Sequence, residues 1–252
     1  MDASELAAIA SRLRAAGCVF AEDEAALLVE AGGDLEASIA RRVEGEPLEV
    51  ILGWAGFRGL RVHVAPGVFV PRARTGVLVD QALAHATRGA VVVELCAGVA
   101  AVAAALVHEA PRLEVYAAEI DPAAVRVARR NIAAERVFAG DLYAALPDAL
   151  RGTIDILIAN APYVPTSEIA NMPPEAREHE PLVALDGGAD GLGVQRRVIA
   201  GARDWLSPGG VLLIETSRRQ ADATVALMRD VGLDATWTHD DETDGTAAVG
   251  RA

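Results

Sequence analysis

Leu6, Ile9, Ala10 and Leu13 fall at the spacing of one helix face, and Gly17 closes that stretch. The run 25–30 ahead of Gly32-Gly33 predicts a second short helix, and Asp34 stands where it can cap a third over 35–43. From Leu48 the pattern changes. Gly53, Gly56 and Gly59 punctuate short apolar runs, and Leu60-Arg61-Val62-His63-Val64 alternates as a half-exposed strand does, which predicts a β-hairpin. A proline-framed turn, Pro66 to Arg72, precedes a helix over 75–86. Strands are then predicted at 90–95, 113–118, 137–139, 154–159 and 211–215, with helices at 100–108, 122–134, 193–205 and 220–231. A terminal antiparallel hairpin pairs 235–238 with 246–249. Strand, turn, helix and strand in some thirty residues is the βαβ unit of a parallel sheet. The expected organisation is a helical unit over 1–45, a β-hairpin linker over 46–74 and an α/β domain over 75–252.

With 252 residues, 52% of them hydrophobic, the chain can bury a full core. Its most apolar window, 91–107, carries Glu94 and Gly98 and falls short of the roughly 20 apolar residues a membrane span needs. The first residues lack a basic segment followed by an apolar one, so the expectation is a cytoplasmic protein. Two cysteines, Cys18 and Cys96, and five scattered histidines offer neither a disulfide framework nor metal-ligand spacing. The net charge of −13 and the lack of a Lys/Arg-rich run argue against a nucleic-acid partner.

The most informative stretch is Asp155 to Pro165. A β-branched apolar run ends in Asn160-Ala161-Pro162-Tyr163, which delivers an amide side chain to the carboxyl end of a buried strand, the edge at which open α/β sheets bind ligands. Pro162 fixes its own φ and holds Ala161 extended, so the Asn160 and Ala161 carbonyls can face a cleft walled by Tyr163. Such a turn can grip a planar NH2 group. An Asn that merely ends a strand has the same local signature, and the rest of the chain must separate the two.

Glu94-Leu95-Cys96-Ala97-Gly98-Val99-Ala100 lies between a predicted strand and its helix, where nucleotide-binding folds place a glycine-rich loop, although only Gly98 is a glycine. Glu119 ends the next strand about 20 residues on, the separation at which an acid accepts from ribose hydroxyls. Its other role would be to cap the following helix, which Asp121 is better placed to do. Asp141 ends the third strand, as an acceptor for an adenine amino group or as a plain turn residue. Acids at successive strand ends with Asn160 at the next point to an adenosine-containing ligand meeting an NH2-bearing substrate, hence to methyl transfer from S-adenosylmethionine to nitrogen.

These features have company in Gly45-Glu46-Pro47-Leu48, Ile51-Leu52-Gly53, Pro66-Gly67-Val68, Pro71-Arg72, Glu180-Pro181, Ala184-Leu185-Asp186-Gly187-Gly188, Gly191-Leu192 and Pro208-Gly209-Gly210 before Glu215. From about Arg41 onward the chain resembles the HemK-type glutamine methyltransferases, which methylate the side-chain amide of a glutamine in peptide-chain release factors. The resemblance implies a Rossmann-like, seven-stranded class I methyltransferase sheet with a small N-terminal helical domain. It also implies Asn160, Ala161, Pro162 and Tyr163 as the acceptor site. Arg72, Thr75, Glu94, Cys96, Ala97, Gly98, Glu119, Ile120, Asp141, Leu142 and Asn160 would bind S-adenosyl-L-methionine. For Arg72 and Thr75, a salt bridge and a helix cap are equally good explanations.

The sequence also departs from that family. Its Asn-Pro-Pro-Tyr is here Asn160-Ala161-Pro162-Tyr163, family glycines are replaced by Cys96 and Ala100, and Val99 stands for a small hydroxyl residue. Where the family has acids flanking a threonine, this chain has Arg74-Thr75-Gly76. Added side chains in the loop are expected to crowd the ligand and lower its affinity. The expectation is an N-methyltransferase without a metal, monomeric or weakly dimeric, acting on a protein or small-molecule amide, a release factor among them. Two alternatives stay open: a nucleic-acid amino methyltransferase, and a catalytically silent fold that serves as a binding protein.

Overall fold

The computed structural model describes residues 3–252; Met1 and Asp2 lie outside them. Three helices come first, α1 (Ala3–Ala15), α2 (Ala21–Ala31) and α3 (Leu35–Val43). Ile9, Ala10, Leu13, Ala21, Ala25, Leu28 and Ile39 close on one another in an apolar cluster of their own. Asp34 caps α3, its side chain accepting from Ala37 N–H at 3.0 Å. α2 starts a turn earlier than its apolar spacing indicates, because Glu22, Asp23 and Glu24 suit the positive end of a helix dipole without adding to the apolar stripe.

The linker contains a helix that the glycine punctuation hides. α4 (Leu48–Leu52) ends at Gly53 in the left-handed region, and Leu48, Ile51 and Leu52 pack on the N-terminal cluster. The expected hairpin follows as β1 (Trp54–Phe57) paired with β2 (Leu60–His63). Asn131 ties this hairpin to the main body: its Oδ1 accepts from His63 N–H at 2.8 Å, and its Nδ2 donates to His63 O at 3.0 Å and Val99 O at 2.8 Å.

The remaining elements are α5 (Gly76–His85), β3 (Val91–Leu95), α6 (Ala101–Glu109), β4 (Glu114–Glu119), α7 (Pro122–Asn131), β5 (Val137–Ala139), β6 (Ile154–Ala159), α8 (Pro174–His179), α9 (Gly193–Trp205), β7 (Leu206–Glu215), α10 (Ala221–Asp230), β8 (Asp234–Asp240) and β9 (Gly245–Arg251). The large sheet has seven strands in the order β5-β4-β3-β6-β7-β9-β8, parallel except for β9, which is antiparallel to both β7 and β8. Strand alternation divides the core. Val92, Ile156, Ile158, Val211 and Leu213 face a layer with residues of α5, α6 and α7, whereas Val93, Leu95, Leu157, Ala159, Leu212 and Ile214 face one with residues of α9 and α10. Near-continuous apolar strands are what a sheet covered on both faces demands.

β7 begins at Leu206 rather than at Val211. Leu206 pairs with Ile154 and Val211 with Ile156, so the intervening Pro-Gly-Gly segment bulges out of register. The order of connections reverses between β3 and β6, which opens a crevice at the carboxyl ends of those strands.

Candidate active site

One cleft at that edge gathers every residue that the sequence assigned to the cofactor or to the acceptor. Arg72, Thr75, Glu94, Cys96, Ala97, Gly98, Glu119, Ile120, Asp141, Leu142 and the four residues from Asn160 to Tyr163 all line it. On one side Glu119, the last residue of β4, is 7% exposed and accepts from Gly98 N–H at 2.7 Å and Asp121 N–H at 2.8 Å. Burial pushes its carboxyl up, and those backbone N–H groups pull it back. The helix-cap role falls to Asp121, which accepts from Ala123 N–H at 2.8 Å. Asp141 pairs with Arg197 of α9 at 2.6 Å, an interaction across 56 residues. Beneath them Glu94 is fully enclosed and accepts from Ala103 N–H at 2.8 Å; burial raises its carboxyl to about 8, so it is protonated at neutral pH.

The loop itself alternates. Cys96, Gly98 and Ala100 have φ of 52°, 54° and 60°, so two L-residues hold the left-handed conformation that glycines hold at small cost. Leu142, also in the cleft wall, does the same at 48°. The expected crowding needs correction at one position: Ala100 is completely buried in the core behind the loop, and the cleft wall passes from Val99 to Ala101. Its cost is backbone strain, not ligand contact. Cys96 does face the cleft, as a neutral thiol held there by burial.

On the other side the Asn160 turn is braced from behind. Val164 N–H donates to Leu185 O at 3.1 Å, Gly187 N–H to Val164 O at 2.9 Å, and Gln220 Nε2 to Tyr163 O at 3.0 Å. A Cβ at Gly187 would meet Pro162 O at 2.7 Å, and one at Gly191, where φ is +75°, would meet Tyr163 O at 2.3 Å. That contact explains why the Gly187 and Gly191 segments accompany the Asn160 turn. Asn160 Nδ2 donates to Thr75 Oγ1 at 3.3 Å. Thr75 sits at the start of α5 without capping it. Arg72 donates to Glu180 at 2.6 Å, and Val70 N–H reaches the same oxygen at 3.1 Å.

Sequence reasoning gave no role to Glu180, Arg197, Met172 or Val183, which also line the cleft. Glu180 could be found only through the Glu-Pro pair it belongs to. Arg197 carries no local signal, because its partner lies on a distant strand end.

The residues suit an adenosine-containing cofactor. Glu119 keeps lone pairs beyond the two taken by the backbone. Ile120 presents a half-exposed apolar side chain to the cleft, and a Cβ at Gly98 would stand in open space.

A methyltransferase small domain family model matches residues 59–173. The chain is 37% identical to the release factor glutamine methyltransferase of Geobacter sulfurreducens, across 81% of this chain and 72% of that protein. The chain belongs to the release factor glutamine methyltransferase family. The family member of Mycolicibacterium smegmatis is 39% identical across 84% of this chain and 76% of its own length. A 4-amino-L-phenylalanine/4-methylamino-L-phenylalanine methyltransferase of Streptomyces pristinaespiralis is also 39% identical, across 80% and 70%. In fold, the chain is similar to a methyltransferase from Pyrococcus furiosus, with a TM-score of 0.57 at 19% identity, covering 84% of this chain and 96% of that one. The seven-stranded sheet is therefore that of a class I methyltransferase, and the protein is an S-adenosylmethionine-dependent methyltransferase. Among the described residues no helix is long and apolar enough to cross a membrane.

Proposed function

We propose that this protein methylates the side-chain amide nitrogen of a glutamine in a peptide-chain release factor. The observation that supports this reading is that Asn160, Ala161, Pro162 and Tyr163 line the same cleft as Glu119 and Gly98. Glu119 would hold the ribose of the cofactor, Ile120 and Leu142 would cover its adenine, and the backbone around Gly98 would take its methionine end. Arg72 or Thr75 would complete that end, and Asp141 would accept from the adenine amino group if its pairing with Arg197 opens. When bound, S-adenosylmethionine supplies an electrophilic methyl group.

An amide nitrogen is a poor nucleophile because its lone pair is shared with its carbonyl. Asn160 Oδ1 and the Ala161 carbonyl each accept one N–H in the plane of the acceptor, which directs the lone pair out of that plane and raises electron density on nitrogen. Tyr163 bounds the plane, and its phenol stays neutral because burial raises it. The chain thus acts chiefly by fixing the acceptor in near-attack geometry and excluding water.

A second acceptor class has one specific observation behind it, the similarity to the 4-amino-L-phenylalanine methyltransferase, since an aryl amine also presents a planar NH2. Methyl transfer from labelled S-adenosylmethionine to a purified bacterial release factor and to 4-amino-L-phenylalanine decides between them. Asn160→Ala is expected to leave S-adenosylhomocysteine affinity and melting temperature nearly intact while cutting turnover at least about 100-fold, the scale of lost near-attack geometry. Retained turnover would remove Asn160 from the reaction. Methylation of the aryl amine alone would replace the glutamine.

A further inference from the structure

Glu215, the last residue of β7, has no part in that scheme, yet it stands beside the acceptor turn. In the parallel pairing of β6 with β7, Ala159 is opposite Ile214, which places Asn160 and Glu215 side by side just past the last pair. Glu215 is 2% exposed; burial raises its carboxyl, and three groups that face it, the Thr75 hydroxyl, the Arg74 guanidinium and the Tyr163 hydroxyl, pull it back towards the charged form. Arg74 Nε lies 3.5 Å from Oε1, while Oε2 is enclosed with no partner at hydrogen-bond distance among the described residues.

Direction matters in this cluster. A carboxylate paired with Arg74 can only accept, and a buried acceptor short of a partner draws any hydroxyl proton within reach. The Thr75 proton therefore turns to Glu215, as does that of Tyr163. Having given its single proton away, Thr75 Oγ1 can only accept from Asn160, and it does so from Nδ2 at 3.3 Å. That leaves Asn160 Oδ1 for the N–H of the methyl acceptor. With no acceptor at Glu215, the Thr75 hydroxyl is free to donate to Asn160 instead. The amide would then turn about its terminal torsion and present its own NH2 to the incoming NH2, donor against donor.

We infer that Glu215 is a positioning residue which, through the Thr75 hydroxyl, fixes the orientation of the Asn160 amide and thereby the register of the methyl acceptor. The inference rests on the acceptor reading of the Asn160 turn.

The chain has three asparagines, so [15N]asparagine labelling gives three side-chain NH2 pairs, which Asn160→Ala assigns. In the full-length protein with S-adenosylhomocysteine, the Asn160 pair is expected to exchange slowly. Thr75→Ser should keep it so, whereas Thr75→Val and Glu215→Leu should shift it and speed its exchange, with S-adenosylhomocysteine affinity unchanged in Glu215→Leu. On the release factor or the aryl amine, whichever is methylated, both variants should lose at least about tenfold in kcat, and the double variant no more than the worse single one, as for residues that act as a unit. Thr75→Ser should restore turnover. Unmoved Asn160 signals in folded Thr75→Val or Glu215→Leu would overturn the inference. If the wild-type protein methylates neither acceptor, the functional reading fails and the exchange measurement still decides the orientation.

Discussion

The loop after β3 and the Asn160 turn after β6 sit on neighbouring strands, and this chain treats glycine differently in each. In the loop, residues 96 and 100 carry side chains although their φ values are 52° and 60°. Behind the turn, Gly187 and Gly191 are kept, and there a Cβ would run into backbone carbonyls at 2.7 and 2.3 Å. Holding an L-residue in the left-handed region costs roughly 1–2 kcal/mol, which a well-packed domain can absorb. Forcing a methyl group into a rigid backbone oxygen has no such cheap remedy, since neither partner is a flexible side chain. Glycine is thus dispensable where it supplies only a torsion and required where it supplies space.

The sharpest way to break that contrast is Gly191→Ala, which combines the clash with φ of +75°. A loss of about 3 kcal/mol or more is expected on denaturant unfolding, with turnover falling as the turn is displaced. A silent substitution would refute the steric account. Glu94, under the loop, comes next. Its folded value of about 8 lies above the ordinary 4.5, so the native protein keeps a proton that the unfolded chain has lost. Stability therefore falls as pH rises between those values, by up to about 1.4 kcal/mol per pH unit. Glu94→Gln should flatten the stability profile between pH 5 and 8, and an unchanged slope would place the titration elsewhere.

Glu119→Ala follows. It removes the acceptor proposed for the ribose and also leaves Gly98 and Asp121 N–H without their partner, so S-adenosylhomocysteine should bind more weakly by about 1.5–3 kcal/mol in calorimetry. Full affinity in a folded variant would exclude it from the site. The smallest effect is expected at Ala100. Glycine there relieves strain but gives up a buried methyl and adds unfolded-state freedom, so stability should move by less than about 1 kcal/mol. Ligand affinity should not change, because Ala100 is buried away from the cleft. Tighter binding would instead show that its methyl group does crowd the ligand.

Much of this protein was determined by local sequence. Alternating or continuous apolar runs set the seven strands, because an element that must bury one or both faces has little choice of residues. Strand-end residues such as Glu119, Asp141 and Asn160 were legible for the same reason: where a strand stops, its next polar side chain falls on the ligand edge of the sheet. The short helix α4 was hidden because five residues give too little periodicity to set against three glycines. Tertiary structure decided the rest. That Asp141 meets Arg197, that Arg72 meets Glu180, and that Glu215 stands beside Asn160 depends on which strands and loops become neighbours. Strand order also decided that the methyl of Ala100 enters the core while the side chain of Cys96 faces the cleft. A torsion or an apolar stripe is a property of a few adjacent residues, whereas a partner across 56 or 108 residues is a property of the packed sheet alone.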